Sequence, residues 1–255
     1  YAPSAQAAPF TFIQSGYTAE VVGTSPSFLG GLAFAPDGDI LGNHCQFSGS
    51  SLDRWDVQGG TTSVNGSNLY NRTTMSSNAG CGMTNHPDGS LYTNTGSGVV
   101  RLDANTGAMT GGAYGGSGNA RGIAVDPLTG NLYWVQANNT IGVFDPVANT
   151  VLNAAFANNG GFTDGIYWSP DGNLLFTTDR SAYTVDVFNR SGSLVDSYAV
   201  GHEPDGIAFT LGGYVLTNNT DGTISRIDTS TGIVDLFASG GFRGDLSAVG
   251  LDGAW

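Results

Sequence analysis

One phrase recurs along this chain of 255 residues: a glycine, three or four mostly apolar residues, a turn similar to Pro-Asp-Gly, and a second apolar run. The fourth copy reads Gly165-Ile-Tyr-Trp-Ser-Pro-Asp-Gly172, followed by Asn-Leu-Leu-Phe. Five copies begin at Gly31, Gly82, Gly122, Gly165 and Gly206, and a sixth, degenerate copy begins at Leu246. The copies lie about 40–51 residues apart, which is the spacing of a repeat architecture.

Each copy predicts two short β-strands joined by a tight turn. Proline presets φ at the second turn position, and Asp-Gly supplies residues that tolerate positive φ. We therefore expect Asp37, Asp88 and Asp171 to be structural residues of these turns. Two more strand patterns follow in each unit, and no stretch shows helical periodicity with capping residues. Four strands in each unit of about 42 residues indicate an all-β chain folded as a six-bladed β-propeller.

The two ends of the chain are expected to close the ring together. Residues 10–14 and 17–22 resemble the two outer strands of a blade, and residues 246–251 resemble its first inner strand. The sequence given stops at Trp255, so we expect this last blade to be one strand short, either because the chain has been trimmed or because the blade is incomplete. We expect a three-stranded blade, an inward shift of the N-terminal segment or, last in rank, insertion of a segment from another copy.

The content of charged residues limits the classes of binding partner that we expect for this chain. The formal net charge is −13, and all eight cations are arginines. This balance argues against nucleic acids and anionic membranes and favours cations or neutral polar partners such as sugars. No run approaches the about 18 apolar residues of a membrane span. We expect residues 1–9 to be a flexible leader and residues 10–255 a single propeller domain of a secreted or extracellular protein whose signal peptide has been removed.

Two phrases, Thr163-Asp-Gly-Ile-Tyr-Trp-Ser-Pro-Asp-Gly172 and Glu203-Pro-Asp-Gly-Ile-Ala-Phe209, resemble repeats of the six-bladed propellers of the SMP-30/gluconolactonase and NHL-repeat group. Virginiamycin B lyase-like proteins share this pattern of repeated phrases. The resemblance covers nearly the whole chain. It is specific for the architecture and not for one activity, because propellers host many functions. It implies a divalent cation at the mouth of the central channel. Asp205 matches one ligand of the family, Asp164 replaces an asparagine ligand, and Gly30 occupies the place of a glutamate ligand.

The residue before each copy of the phrase is expected at one mouth of the channel, because the innermost strands of a propeller all run the same way. These residues are Gly30, Cys81, Arg121, Asp164, Asp205 and Asp245. Three convergent carboxylates, Asp164, Asp205 and Asp245, repel one another unless a cation compensates them, and calcium suits oxygen ligands. Alternatively, Arg121 pairs with one aspartate, or the aspartates accept hydrogen bonds from backbone N–H groups of the entering loops.

The loops after each second strand are expected on the same face. They contain Asn43-His44-Cys45, Asn94, Gln136-Ala-Asn138, Asp179-Arg180 and Asn218-Asn219. The residues expected to contact a polar ligand are Arg121, His44, His202, Asn94 and Asn218; a polar loop surface without a ligand is the alternative. The two histidines are either general bases or hydrogen-bonded loop residues. Cys45 and Cys81 are expected to form a disulfide, with two free buried thiols as the alternative.

The sequence contains no complete catalytic set, phosphate-binding loop or dinucleotide fingerprint. It therefore favours a secreted or cell-surface propeller that acts as a binding or assembly module for a small polar ligand, a sugar or a protein. The alternative is a divalent-cation-dependent hydrolase, similar to a lactonase, or a lyase, with its site at the channel mouth. Self-association is expected through the incomplete last blade.

Overall fold

The computed structural model describes residues 10–19, 21, 23–25, 29–45, 51–64, 67–76, 80–115 and 121–241. Within these residues the chain is all-β, and no helix is long and apolar enough to cross a membrane. The strands form five antiparallel sheets, arranged as the blades of a propeller. In each blade the four strands follow chain order, and the first strands of successive blades pack against one another around the centre.

The strands are bounded as follows. The short strand β1 (Thr11–Phe12) precedes the blades. Blade 1 contains β2 (Leu29–Phe34), β3 (Ile40–His44), β4 (Ser51–Val64) and β5 (Ser67–Ser76). Blade 2 contains β6 (Met83–Asn85), β7 (Leu91–Thr95), β8 (Gly98–Leu102) and β9 (Tyr114–Gly115). Blade 3 contains β10 (Ile123–Val125), β11 (Leu132–Val135), β12 (Thr140–Asp145) and β13 (Thr150–Asn158). Blade 4 contains β14 (Thr163–Trp168), β15 (Leu174–Asp179), β16 (Thr184–Asn189) and β17 (Leu194–Ala199). Blade 5 contains β18 (Pro204–Phe209), β19 (Tyr214–Asn219), β20 (Ile224–Asp228) and β21 (Ile233–Ser239).

The β-propeller fold predicted from the repeats is confirmed, but the number of blades is corrected from six to five in the described part of the chain. The five complete copies of the repeated phrase each open one blade. The degenerate sixth copy, residues 246–251, lies outside the described residues. The prediction overcounted because it gave that degenerate copy the weight of a complete phrase.

The N-terminal strand extends blade 5 instead of closing a sixth blade, so the predicted closure is wrong for this strand. β1 pairs antiparallel with β21, with Thr11 opposite Ser239 and Phe12 opposite Ala238. The Phe12 ring packs edge-on against the Phe237 ring, with centroids 5.4 Å apart. The outer edge of a four-stranded blade presents unpaired backbone groups, which a nearby extended segment can satisfy. Pairing at this edge partly buries Phe10 and Phe12 without requiring another inner strand.

The Pro-Asp-Gly phrase forms the turn between the first and second strands, as predicted. Three turn glycines have left-handed φ angles: Gly38 at 92°, Gly89 at 84° and Gly172 at 70°. In blade 4 the Asp171 carboxylate accepts hydrogen bonds from the Ser169 hydroxyl at 2.6 Å and from the Asn173 backbone N–H at 3.1 Å. The aspartate therefore stabilises the turn that the glycine's φ angle permits.

The first glycine of the phrase marks the place where the inner strands of adjacent blades approach most closely. A Cβ atom added to this glycine would lie within 2.6 Å of a backbone carbonyl oxygen of the next blade in three of the blades. The pairs are Gly82 with Arg121 at 2.0 Å, Gly122 with Asp164 at 2.4 Å and Gly165 with Asp205 at 2.6 Å. The Gly122 N–H also donates to the Asp164 carbonyl at 2.9 Å, so the blades are joined by backbone contact.

Buried polar side chains on second strands satisfy the remaining backbone groups at these junctions. The Thr178 hydroxyl accepts a hydrogen bond from the Gly165 N–H at 2.8 Å and donates to the Asp205 carbonyl at 2.9 Å. Asn43 bridges blades 1 and 2 in the same way. An unpaired buried backbone group costs about 1–3 kcal/mol, so these bridges are needed where the strands diverge.

Apolar side chains fill the space between neighbouring blades farther from the channel. Between blades 3 and 4 the buried residues include Val135, Ile141, Ile166, Leu175 and Phe188. Between blades 4 and 5 they include Phe176, Val185, Val187, Ile207 and Val215. Burying one such side chain contributes about 1.5–3 kcal/mol, so each blade is stabilised mainly by its neighbours.

We expect Gly122→Ala to lower the free energy of unfolding by about 1–3 kcal/mol, because the new methyl group meets the backbone of blade 4. The matched control is Gly212→Ala, where the nearest atom to the added Cβ is 3.4 Å away and φ is not positive. That change should stay within about 0.5 kcal/mol of the natural chain. Urea denaturation measures both variants, and equal stability of the two would contradict the close-approach explanation.

A buried carboxylate lies in the third strand of blade 4. Asp186 in β16 is 5% exposed and accepts hydrogen bonds from the Thr184 hydroxyl at 3.0 Å and the Ser197 hydroxyl at 2.6 Å. Burial raises the pKa of Asp186 above its ordinary value, these hydrogen bonds lower it in part, and the negative charge of Asp179 raises it further. The ionised form of Asp186 is therefore disfavoured in the folded chain.

Because the pKa of Asp186 is higher in the folded than in the unfolded chain, its contribution to stability is full below the unfolded value and is lost as the pH rises through the folded value. We expect Asp186→Asn to be more stable than the natural chain at neutral pH, and this gain to shrink as the pH falls. The control is Asp228→Asn, because hydrogen bonds from Ser230 lower the pKa of Asp228 and should give the opposite sign. Urea denaturation between about pH 4 and pH 8 tests this, and a gain that does not depend on pH would contradict it.

Candidate functional site

The structure brings Asp164 and Asp205 together at one end of the channel. Asp164 is the second residue of β14 and Asp205 the second residue of β18. Their Oδ2 atoms lie 3.0 Å and 3.8 Å from the same atom, Nη1 of Arg180. Arg180 reaches them because it follows Asp179, the last residue of β15, which pairs with Thr163 at the start of β14.

Arg180 also binds a third carboxylate. Its Nε donates to Oε1 of Glu203 at 2.7 Å, and its Nη2 donates to the same oxygen. Burial disfavours the charged guanidinium, but Asp205, Glu203 and Asp164 outweigh this effect and raise the pKa of Arg180. The cation that the converging carboxylates require is thus supplied by the protein. The sequence placed Arg180 on this face but gave it no role.

Arg121, predicted as a ligand contact or a partner of an aspartate, packs on an aromatic ring. Its guanidinium carbon lies 3.7 Å from the centroid of the Phe162 ring, and that of Arg180 lies 5.0 Å from the same centroid. Nη1 of Arg121 donates to the Thr163 carbonyl at 2.8 Å and to Oδ1 of Asn139. Within the described part of the chain Arg121 makes no ion pair closer than 4 Å. Burial lowers the pKa of Arg121, and the nearby charge of Arg180 acts in the same direction.

These side chains form one continuous group, which we call the charged mouth: Arg121, Phe162, Asp164, Arg180, Glu203 and Asp205. Its carboxylates differ in access to solvent, because the Asp205 side chain is fully buried while the Glu203 side chain is 34% exposed. Phe162 is 36% exposed. The charged mouth therefore has a buried ionic base and a rim where a carboxylate and an aromatic ring meet solvent.

His202, another predicted ligand contact, stands next to Glu203 in the chain. Its Nδ1 lies 2.7 Å from Oδ2 of Asp221, and about a third of the histidine side chain is exposed. Burial opposes ionisation of Asp221, but hydrogen bonds from Thr223 and His202 outweigh it and lower the pKa of Asp221. His202 is thus a hydrogen-bonded loop residue with solvent access, beside the charged mouth.

The predicted disulfide is confirmed. Cys45 follows β3 in blade 1, Cys81 precedes β6 in blade 2, and the two are bonded with their Cα atoms 4.3 Å apart. Gly30 packs against both cysteines, since an added Cβ atom would lie 2.7 Å from the Cys81 carbonyl oxygen and 2.8 Å from the Cys45 Cβ. This half of the mouth is consequently closed by small neutral groups.

His44 lies in a buried network of blade 1. Its Nε2 is 2.9 Å from Oδ2 of Asp53 and 3.1 Å from the Ser25 hydroxyl, and Asp53 also accepts a hydrogen bond from Thr74. Serine, histidine and aspartate are present, but the serine and the carboxylate share one ring nitrogen. A proton-relaying triad places them on opposite nitrogens. The geometry therefore anchors residue 25 to blade 1 and does not form a triad.

The two predicted asparagine contacts lie in second strands. Asn94 in β7 is 1% exposed, and its Nδ2 donates to the carbonyls of Gly122 at 3.3 Å and Val135 at 3.4 Å. Its amide therefore joins blade 2 to blade 3. Asn218 in β19 is half-buried and pairs with Ile224 across the sheet.

The structure describes two of the three aspartates from which the cation site was predicted. Among the described residues, no group of three or more His, Cys, Asp or Glu side chains is arranged to hold a metal ion. The third predicted ligand, Asp245, lies outside the described residues. Arg180 occupies the space between the other two carboxylates. Calcium binding accordingly stays a prediction.

Comparison with known proteins bears on the fold. No protein-family model matches the chain, and no curated protein matches it. The chain is similar to the crystal structure of selenomethionine-substituted virginiamycin B lyase from Staphylococcus aureus, with a TM-score of 0.62 and 15% sequence identity over 84% of this chain and 71% of that one. At this level of identity the similarity shows the fold alone: the chain is a β-propeller related in architecture to that enzyme.

Proposed function

We propose that this protein is a secreted or cell-surface propeller that acts as a binding or assembly module and takes a small polar ligand, such as a sugar, at the charged mouth. The observation that carries the proposal is the pairing of Arg180 with Asp164, Glu203 and Asp205. Arg180 supplies these carboxylates with a cation from the protein itself, and together with Arg121 it leaves the mouth with an excess of one negative charge. A preorganised polar surface of this kind suits recognition.

The rim of the charged mouth supports a polar, uncharged ligand. Glu203 offers carboxylate oxygens to hydroxyl groups, and Phe162 offers part of an aromatic ring held in place by Arg121. Hydroxyl-rich ligands combine such hydrogen bonds with apolar contacts. The net charge of −13 also disfavours anions at long range.

Two features support a location outside the cell. The Cys45–Cys81 disulfide persists in oxidising compartments and is rare in the cytosol. The chain also has no lysine, which leaves arginine alone to supply the positive charges of its ion pairs.

A second function, a cation-dependent hydrolase or lyase, is favoured by one specific observation. Asp164 and Asp205 come from adjacent blades and point an oxygen at the same position, Nη1 of Arg180. A divalent cation such as calcium in that position would gain two oxygen ligands if Arg180 moved away, and Asp245 is the third ligand proposed from the sequence.

We expect Arg180→Gln to lower the free energy of unfolding by about 3–5 kcal/mol, because it leaves buried carboxylates without their cation. We also expect this variant to gain calcium-dependent thermal stabilisation that the natural chain lacks. The matched control is Arg226→Gln, because Arg226 pairs with the partly exposed Asp235 far along blade 5 and should cost about 1 kcal/mol or less.

Calorimetry and thermal unfolding with and without calcium distinguish the two functions. Calcium binding by the natural chain, together with loss of that binding in Asp205→Asn, would contradict the binding module and favour the enzyme. For the module itself, titration with glucose and N-acetylglucosamine should shift NMR signals of Arg121 and Arg180, the anion glucuronate should shift them less, and Phe162→Ala should abolish the shifts. Shifts confined to other surfaces would place the ligand elsewhere.

A further inference from the structure

The opposite end of the channel holds a cavity with different chemistry. Between the inner strands lies a space of about 300 Å³, at the lower end of the range of ligand pockets. Its walls are largely aliphatic and aromatic, and include Leu32, Phe34, Met83, Ile123, Ile166 and Tyr167. None of the described residues that line it is charged. Apolar wall of this extent in contact with water favours an apolar occupant.

Two polar side chains on the wall, Asn85 and Ser169, already have hydrogen-bond partners. Oδ1 of Asn85 accepts from the Phe34 N–H at 2.9 Å, and its Nδ2 donates back to the Phe34 carbonyl. The Ser169 hydroxyl donates to Oδ1 of Asp171 at 2.6 Å and accepts from the Leu174 N–H at 3.0 Å. A ligand therefore finds few hydrogen-bonding groups inside the cavity, and its body has to be apolar.

A carboxylate beside the rim of the cavity, Asp171, has no arginine partner within the described part of the chain. On the equivalent turn of blade 1 Asp37 pairs with Arg54, and beside the turn of blade 3 Asp126 pairs with Arg190. Asp171, in contrast, is held by the neutral side chains of Ser169 and Asn173. It follows Pro170 and is bonded to Ser169, and both of these residues line the cavity.

We propose that this cavity binds a small organic cation whose apolar body fills the channel and whose ammonium group lies near Asp171. The proposal does not depend on the charged mouth at the other end. Charge complementarity selects the occupant, because the cavity is apolar, its rim has an uncompensated carboxylate, and the whole chain carries a net charge of −13. Hydrogen bonds from Ser169 and Asn173 lower the pKa of Asp171, so this carboxylate is ionised at neutral pH.

Three probes with one phenyl body and different heads test the proposal: 2-phenylethylammonium, 2-phenylethanol and phenylacetate. We expect the ammonium to bind about two- to five-fold tighter than the alcohol, and phenylacetate to bind weakest. The preference should fall as salt is added. Equal affinity for all three heads, or no binding by any of them in an NMR titration, would overturn the proposal.

Variants of the protein test separately the contacts of the probes' phenyl body and those of their head group. Thr84→Phe adds bulk to the cavity wall and should weaken all three probes at least ten-fold. Asp171→Asn keeps an acceptor for Ser169 and should make the ammonium and the alcohol bind alike. The matched control, Asp37→Asn on the equivalent turn of blade 1, should leave the preference in place, because Asp37 is paired with Arg54.

Two measurements on the natural chain complete the test even if Thr84→Phe does not fold. Nuclear Overhauser effects should connect the phenyl protons with the methyl groups of Ile123 and Ile166. Their absence would place the probe outside the cavity and overturn the proposal. Dimerisation that the probes inhibit would identify a second copy of the chain as the occupant and would also overturn it.

Discussion

The close approach of inner strands from neighbouring blades is the constraint on which the rest of the structure depends. A glycine in one blade lies against the backbone carbonyl of the residue that precedes the equivalent glycine in the next blade. With any side chain at that position the strands would separate, and the hydrogen bond from the Gly122 N–H to the Asp164 carbonyl would be lost. The repeated glycine is thus a packing requirement, although it first stands out as part of a turn-bearing phrase.

The same contact fixes the charged mouth. The carbonyls of Asp164 and Asp205 are held by the preceding blade, the first by Gly122 and the second by Thr178. Because the backbone on each side is fixed, the two carboxylates are held close together, and the chain has to supply a cation between them. Arg180 does so from the end of a second strand. The arrangement of charge is therefore a consequence of how blades 4 and 5 pack.

Much of the fold could be predicted from the sequence because its determinants are local. The turns follow from Pro-Asp-Gly, the strands from short apolar runs between them, and the Cys45–Cys81 disulfide from the positions of both cysteines at one end of adjacent blades. The pairing of β1 with β21 could not be predicted, since residues more than 200 positions apart meet at an edge that many segments could complete. The predicted number of blades differs from the five in the described residues for a related reason, because the degenerate sixth copy of the phrase carries little local signal.

The candidate site was harder to predict than the fold, because a polar residue near a channel has several possible partners. Asn94 and His44 were predicted in loops that follow second strands, but both lie within those strands, where Asn94 bonds to backbone carbonyls and His44 to Asp53. Arg121 and Arg180 show the opposite case. The sequence gave the first a role and the second none, whereas the pairing of Asp179 with Thr163 brings Arg180 to the carboxylates. The pairing register between β14 and β15 therefore determines which arginine lies beside the carboxylates of Asp164 and Asp205.

The arginines also explain the electrostatic character of the whole surface. Among the described residues, five arginines pair with carboxylates: Arg54, Arg72, Arg180, Arg190 and Arg226. Arg121 lies against Phe162. Positive charge is therefore concentrated in contacts within the described part of the protein, while acidic residues outnumber the arginines by 21 to eight in the sequence. The field outside the molecule is negative in consequence, and it disfavours anionic partners at both ends of the channel. What differs between the ends is the chemistry of the walls, ionic and hydrogen-bonding at the charged mouth and apolar in the cavity, and this difference is the reason that we propose a different ligand for each end.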